Sequence, residues 1–304
     1  MPHKVLPAEK HRKIIVIGAG PAGLEAARVA GERGHEVTVF EAMPKAGGQI
    51  ALTVRNKRRQ DFQGVVDWRL AELDRLGVEI IYDHIAEQED ISALNPDVVI
   101  VATGGLPQMP PLEKGAELAV TSWDVLSGEV IPQGNVLLYD DNGTHSALST
   151  AEIIAQSGAD LEIVTPERTL GVEIGGVNHV PYARTFNETE TRVTLNQRVM
   201  SASKENDRLV VELGSDHSSH RSTREVDYLV VDHGTLPNAD LYLELKSLSC
   251  NQGEIDHNAL LNGQPQPCFE DEQESFALYR IGDAVANRNI HAAIYDALRL
   301  MKDI

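Results

Sequence analysis

The segment Gly18-Ala19-Gly20-Pro21-Ala22-Gly23 directly follows the apolar run Ile14-Ile15-Val16-Ile17. A second apolar run, Val37-Thr38-Val39-Phe40, ends in Glu41, eighteen residues beyond Gly23. A strand, a glycine-rich turn, a helix, a second strand and a terminal acid in that order constrain the chain to a βαβ unit of dinucleotide-binding type. Gly18 lets the chain turn sharply, Gly20 lets backbone approach a pyrophosphate, and Gly23 lets the helix pack close to the strand. Pro21 and Ala22 open a helix that runs to about Glu32 and aims its first N–H groups at the phosphates. Glu41 is placed to hydrogen-bond a ribose 2′-OH, and its charge repels a 2′-phosphate. A tight turn without a ligand is the alternative; the complete register weighs against it.

A second unit copies the first and then departs from it. Val136-Leu137-Leu138-Tyr139 reads as a strand, Ser146 to Gln156 as a helix, and Leu161-Glu162-Ile163-Val164 as the next strand. In register with the first unit, the three glycine positions hold Asp140, Asn142 and His145. Two carboxylates, Asp140 and Asp141, now stand where a pyrophosphate needs N–H groups. Like charges about 4 Å apart cost about 1 kcal/mol in water and several where water is excluded. The fold of a nucleotide domain is expected here without a working NAD(P)H site. Helix N-capping accounts for the two acids whatever the function.

The 304 residues suit two ordinary domains, and 42% hydrophobic content supplies their cores. The net charge of −19 argues against nucleic acid or an anionic membrane as partner. Cys250 and Cys268 are too few and too far apart for a redox pair or an iron–sulfur site. The polar, basic start lacks the apolar core of a secretory signal, and apolar runs are strand-sized, so a cytoplasmic protein is expected.

Farther along, Asp61 to Leu76 carries apolar residues at helical spacing and stops at Gly77. Val98-Val99-Ile100-Val101 is continuous enough for a strand buried on both faces and runs into Ala102-Thr103-Gly104-Gly105. Leu106 to Pro111 reads as a linker. Strands follow at Val193 to Leu195, Leu209 to Leu213 and Tyr228 to Asp232, with polar Ser215 to Glu225 expected as a hairpin tip. Phe276 to Ile281 reads as a strand, Gly282-Asp283-Ala284 as a turn and Asn289 to Lys302 as a helix. Trp68 and Trp123 are expected to serve packing, and His145 and His179 to be packed or solvated residues. Arg55-Asn56-Lys57-Arg58-Arg59 reads as a solvated basic patch, with a phosphate or docking role as the alternative because it lies just after the Gly47-Gly48 turn.

The Gly18–Gly23 turn with Glu41, the Gly47-Gly48-Gln49 turn, the ATGG run at Ala102–Gly105 and Ile281-Gly282-Asp283 together resemble the flavoproteins with two dinucleotide-binding domains. More narrowly, Ala46–Ile50, Asp67-Trp68-Arg69, Ser122–Val125, Tyr139–Gly143 and Gly282–Ala286 look like the C-terminal half of the trimethylamine dehydrogenase and 2,4-dienoyl-CoA reductase group. Within it, the N-methylproline, betaine and dimethylglycine demethylase branch is nearest. The resemblance implies an α/β fold of two Rossmann-like domains, the second inserted in the first: residues 1–112 and 270–304, then 113–269. It implies a cofactor site of Gly18, Gly20, Pro21, Ala22, Gly23, Glu41, Gly48, Gln49, Thr103, Gly104, Gly282, Asp283 and His291, with no catalytic or metal-ligating residue in this chain. FAD is the expected cofactor; ADP in a structural role is the alternative, since trimethylamine dehydrogenase holds ADP in this domain. A NAD(P)H-dependent flavin reductase is the third reading, weakened by the absent CxxC and the acidic second turn. Full-length members carry an FMN-binding barrel and a 4Fe–4S cluster upstream. The resemblance therefore implies a barrel domain or subunit as partner, an electron-transfer flavoprotein as a further one, and no oxidation of substrate by this chain alone.

Overall fold

The computed structural model describes residues 4–264, 266 and 276–304. The chain forms two compact units: Met1–Ala51, Asp61–Leu106 and Leu236–Ile304 make the first, and Leu52–Gln60 with Pro107–Thr235 the second. Both are mixed α/β units built on parallel sheets of Rossmann-like type.

In the first unit the sheet order is Ala277–Arg280, Val98–Val101, Lys13–Ile17, Glu36–Phe40, Glu79–Ile81, all parallel. The central strands are apolar throughout because both faces are covered: Ile14, Ile15, Val16 and all of Val98–Val101 have no exposed surface. One face carries helices Pro21–Glu32, Gln63–Leu76 and Ile290–Lys302, with the first packed against the other two. Against the other face, Ile91, Tyr242 and Leu245 bury themselves on Ile15, Val99, Val101 and Leu278. The helix Gln63–Leu76 ends at Gly77 in the left-handed region (φ 68°). A 3₁₀ turn over Lys57–Phe62 precedes it, so the helix starts two residues later than its periodicity predicts. Trp68 is half exposed, with the guanidinium groups of Arg28 and Arg69 over its ring at 5.4 and 5.3 Å.

The second unit orders its parallel strands Val120–Thr121, Tyr228–Asp232, Asn135–Asp140, Asp160–Val164, Arg192–Thr194. Helices His145–Gln156 and Gly176–Glu188 cover one face through Ala147, Leu148, Ile154, Tyr182 and Phe186. A three-stranded antiparallel sheet, Arg198–Glu205, Arg208–Ser215, Ser218–Val226, packs on the other through Val199, Val211 and Leu213. The expected hairpin tip at Ser215–Glu225 is corrected here. Only the turn at residues 216–217 is a tip, and Ser218–Val226 pairs as a strand along Arg208–Ser215. Backbone hydrogen bonds hold it, and its polar side chains face water, as one face of an antiparallel sheet allows.

The divisions between the compact units fall at 106/107, near the expected 112/113, and at 235/236; the expected boundary at 269/270 lies outside the described residues. The described residues after Thr235 belong with the first unit because Tyr242 and Leu245 are buried in its core. Residues 52–60 go with the second unit: buried Asn56 donates to Glu152 at 2.6 Å, and Arg58 pairs with the same carboxylate at 2.6 Å.

Candidate functional site

The crest of the first sheet is drawn together by close backbone contacts. Gly18 has φ 101°, and a Cβ there would stand 2.5 Å from the Ala102 carbonyl oxygen. A Cβ on Gly23 would overlap the Gly18 carbonyl oxygen, so the helix meets the strand at a distance only glycine permits. Gly20 is open by contrast: the nearest atom to its missing Cβ is the Gly48 Cα, at 4.0 Å. The Gly47 N–H donates to the Ala19 carbonyl at 2.9 Å, stitching the second glycine turn to the first.

The helix Pro21–Glu32 begins at Gly20 with no side-chain cap and no acid in its first turn. Pro21 has no N–H to lose, so the Ala22 and Gly23 N–H groups head an uncapped helix, an arrangement suited to an anion. Glu41 is buried; its Oε2 accepts the Ala19 N–H at 2.6 Å and its Oε1 the Met43 N–H at 2.8 Å. Spacing identified the acid, but nothing in it disclosed that the same carboxylate shapes the turn. Each carboxylate oxygen keeps acceptor capacity for a hydroxyl.

Gly282 and Asp283 come from the far end of the chain. A Cβ on Gly282 would stand 2.8 Å from that of Ala22, so this turn rests on the start of the first helix. Asp283 Oδ2 accepts from the Gln49 amide at 3.1 Å, and Oδ1 accepts the Arg288 N–H at 3.2 Å. Burial pushes the Asp283 carboxyl above its usual range, against the opposing pull of those two donors. Thr103 lies beside Gly18, its Cα 3.3 Å from the missing Cβ. Its hydroxyl donates to the Asn238 carbonyl at 2.5 Å, while the Asn238 N–H donates to the Gly104 carbonyl at 2.9 Å. Asn238 had no sequence signal; only the returning chain brings it there. His291 stands exposed in the first turn of the helix Ile290–Lys302 and stacks on Tyr295, 6.2 Å between centroids.

The corresponding turn of the second unit is filled by its own side chains. Asp140 has no exposed surface, and its Oδ1 accepts the N–H groups of Asn142 (3.1 Å) and Gly143 (2.7 Å). Its Oδ2 has no hydrogen-bond partner. Burial, with Asp232 and Asp141 nearby, raises the Asp140 carboxyl to about 7. Asp232, paired with Asp140 in the sheet register, accepts from Ser122 at 2.7 Å and from the Asn142 amide at 2.9 Å. Asp141 meets His233 at 2.6 Å. His145 lies 3.1 Å from the Tyr182 hydroxyl, and burial, reinforced by Arg59 and Arg58, lowers it to about 4.

Among the described residues, no group of three or more His, Cys, Asp or Glu could hold a metal, and no helix is long and apolar enough to cross a membrane.

Residues 12–295 match the pyridine nucleotide-disulphide oxidoreductase family, and the chain belongs to it. It is 49% identical over its whole length to a probable N-methylproline demethylase of Rhizobium meliloti, covering 45% of that protein. It is 41% identical to an N,N-dimethylglycine/sarcosine dehydrogenase of Chromohalobacter salexigens, again across the whole chain and 45% of the relative. Among solved structures, 6-hydroxypseudooxynicotine amine oxidase from Pseudomonas geniculata superposes with a TM-score of 0.82 at 25% identity, over 99% of this chain and 43% of that one. The likeness to the trimethylamine dehydrogenase and 2,4-dienoyl-CoA reductase group, in its demethylase branch, therefore holds. The chain spans somewhat under half the length of these curated relatives.

Proposed function

We propose that this chain is the FAD-binding, electron-relaying portion of a flavin-dependent N-methyl amine dehydrogenase or demethylase. The observation that carries the reading is the meeting of Gln49 and Asp283 beside the open Gly20–Gly48 backbone. An adenine nucleotide alone needs only the turn, the helix start and Glu41. A second turn bearing a carboxylate, followed by another helix start, offers partners to a longer ligand. The fit is favourable: the helix at Pro21 is uncapped, and no side chain stands over Gly20.

In this reading the Ala22 and Gly23 N–H groups face the pyrophosphate, Pro21 sets the helix entry, and Gly18, Gly20 and Gly23 give it close approach. Glu41 holds the adenosine ribose. Gly48 and Gln49 flank the pyrophosphate, and Asp283, reached through Gly282, meets the ribityl region. Thr103 and Gly104 brace the crest, and His291 stands at the helix start toward the flavin. Bound FAD would supply reversible one- and two-electron chemistry. The acids of the second turn keep NAD(P)H out, so electrons come from elsewhere.

The partner is an FMN barrel with a 4Fe–4S cluster, fused or separate, which chooses and oxidises the amine. An electron-transfer flavoprotein is the fitting acceptor. The share of each relative that this chain leaves uncovered supports such a partner. The test is the visible spectrum of the purified chain after incubation with FAD and gel filtration. A retained flavin band at one equivalent supports the reading. A colourless chain that retains ADP assigns the structural role instead.

A further inference from the structure

The second unit keeps the strand, turn and helix of a nucleotide site but not its vacancy. The turn residues matching Gly20 and Pro21 of the first unit are Asn142 and Gly143. Their N–H groups point at one atom, Asp140 Oδ1, at 3.1 and 2.7 Å. The helix His145–Gln156 behind them has no side-chain cap on its Thr144 N-cap and no acid in its first turn. Two N–H groups of the turn are therefore drawn inward onto a carboxyl from the preceding strand, while those of Thr144 and His145, which match Ala22 and Gly23, are not among its partners.

We propose that Asp140 is a built-in occupant of a dinucleotide pyrophosphate cradle, closing the second unit's site from within. Three observations support this assignment. Asp140 is wholly buried, so its carboxyl lies inside the turn rather than over it. Its Oδ2 is left without a partner, a cost that local packing alone gives no reason to bear. Asp232 is fixed beside it by Ser122 and the Asn142 amide, so a second acid backs the same turn. Exclusion of pyrophosphate then has two parts, repulsion by charge and filling of the turn by the buried side chain, and the second dominates. The ligand class that the emptied cradle would take is a pyrophosphate-bearing dinucleotide such as NADH.

Two substitutions separate the parts. Asp140→Asn removes the charge but keeps a side-chain oxygen for both N–H groups. Asp140→Gly removes both. NADH is titrated calorimetrically into each protein with the first unit saturated with FAD, or with ADP if FAD is not retained. The Asp140→Gly protein should gain a saturable site at least about tenfold tighter than wild type, while Asp140→Asn stays near wild type. Equal tightening in both variants, or none in either, overturns the proposal. Amide hydrogen exchange of the wild-type protein gives a reading that survives a poorly folded variant. Asn142 and Gly143 should be protected without added NADH, and rapid exchange at both sinks the idea. That measurement does not depend on which nucleotide the first unit holds, so failure here is distinct from failure of the FAD reading.

Discussion

The side-chain amide of Gln49 donates to the carboxylate of Asp283 across 3.1 Å, joining residues 234 positions apart in the chain. Gln49 follows the glycine pair that is stitched to the first turn, and Asp283 follows the strand that closes the sheet edge. Their meeting gathers three separate loops on one crest, the place where open parallel sheets receive ligands. Gln49→Ala should weaken FAD more than ADP, by about fivefold to tenfold, because the Asp283 carboxylate that Gln49 holds in place meets only the flavin side of the ligand. Titration with the two nucleotides checks this, and equal losses would place Gln49 in general loop support.

Replacing Glu41 by Ala should act twice. Loss of a charge-assisted bond to the ribose weakens ADP and FAD by about 1.5–3 kcal/mol. The Ala19 and Met43 N–H groups, now without the carboxylate, also lower the melting temperature. Calorimetric titration and a thermal melt read the two effects apart. Unchanged affinity for both nucleotides removes Glu41 from the site.

Gly23→Ala places a methyl group on the Gly18 carbonyl oxygen, where backbone rather than a movable side chain must give way. The expected cost is about 1–3 kcal/mol of stability, together with loss of nucleotide binding. Chemical denaturation measures the first, and FAD retention the second.

The pH dependence of stability should carry the mark of Asp140. Its carboxyl stands near 7 in the folded protein against an ordinary 3.8. Between those values the native state binds the extra proton, so this group's contribution falls as pH rises through the window and levels off above it. Relative to Asp140→Asn, the wild-type protein should lose on the order of 2–4 kcal/mol between pH 4 and pH 7. Parallel stability curves for the two proteins would show that Asp140 does not titrate in this way.

Neither NADH nor NADPH should bleach the flavin of the FAD-loaded wild-type chain, and the chain alone should not demethylate dimethylglycine or N-methylproline. Rapid bleaching in a stopped-flow trace would revive the reductase reading. Formaldehyde release by the purified chain would end the relay account.

Much of the scaffold was legible because it rests on local rules. Alternating strands and helices, Gly77 as a stop and the glycine pattern at Gly18–Gly23 are written within short windows. The identity of Glu41 was readable from spacing, but its bonds to Ala19 and Met43 depend on how the turn closes. Asn238 beside Thr103 depends on a return of the chain from far away, which no short window encodes. The polar strand Ser218–Val226 escaped for a different reason. Its backbone pairing is blind to side-chain polarity, so composition pointed to a tip. The basic run at Arg55–Arg59 was likewise read as a solvated face, because Glu152 lies far along the sequence from Arg58.

The chain passes from one unit to the other four times, after Ala51, Gln60, Leu106 and Thr235. That routing sets an order of completion during synthesis. The later-starting unit has all its strands once Thr235 has emerged, while the first still lacks the edge strand Ala277–Arg280 and the helix Ile290–Lys302. On the ribosome, the glycine turn at residue 18 therefore waits for nearly the whole chain before its neighbour Gly282 exists. Nascent chains stalled before residue 277 should resist protease in the second unit and be cut in the first, so of the two units the one that starts first is the last to become protein-like.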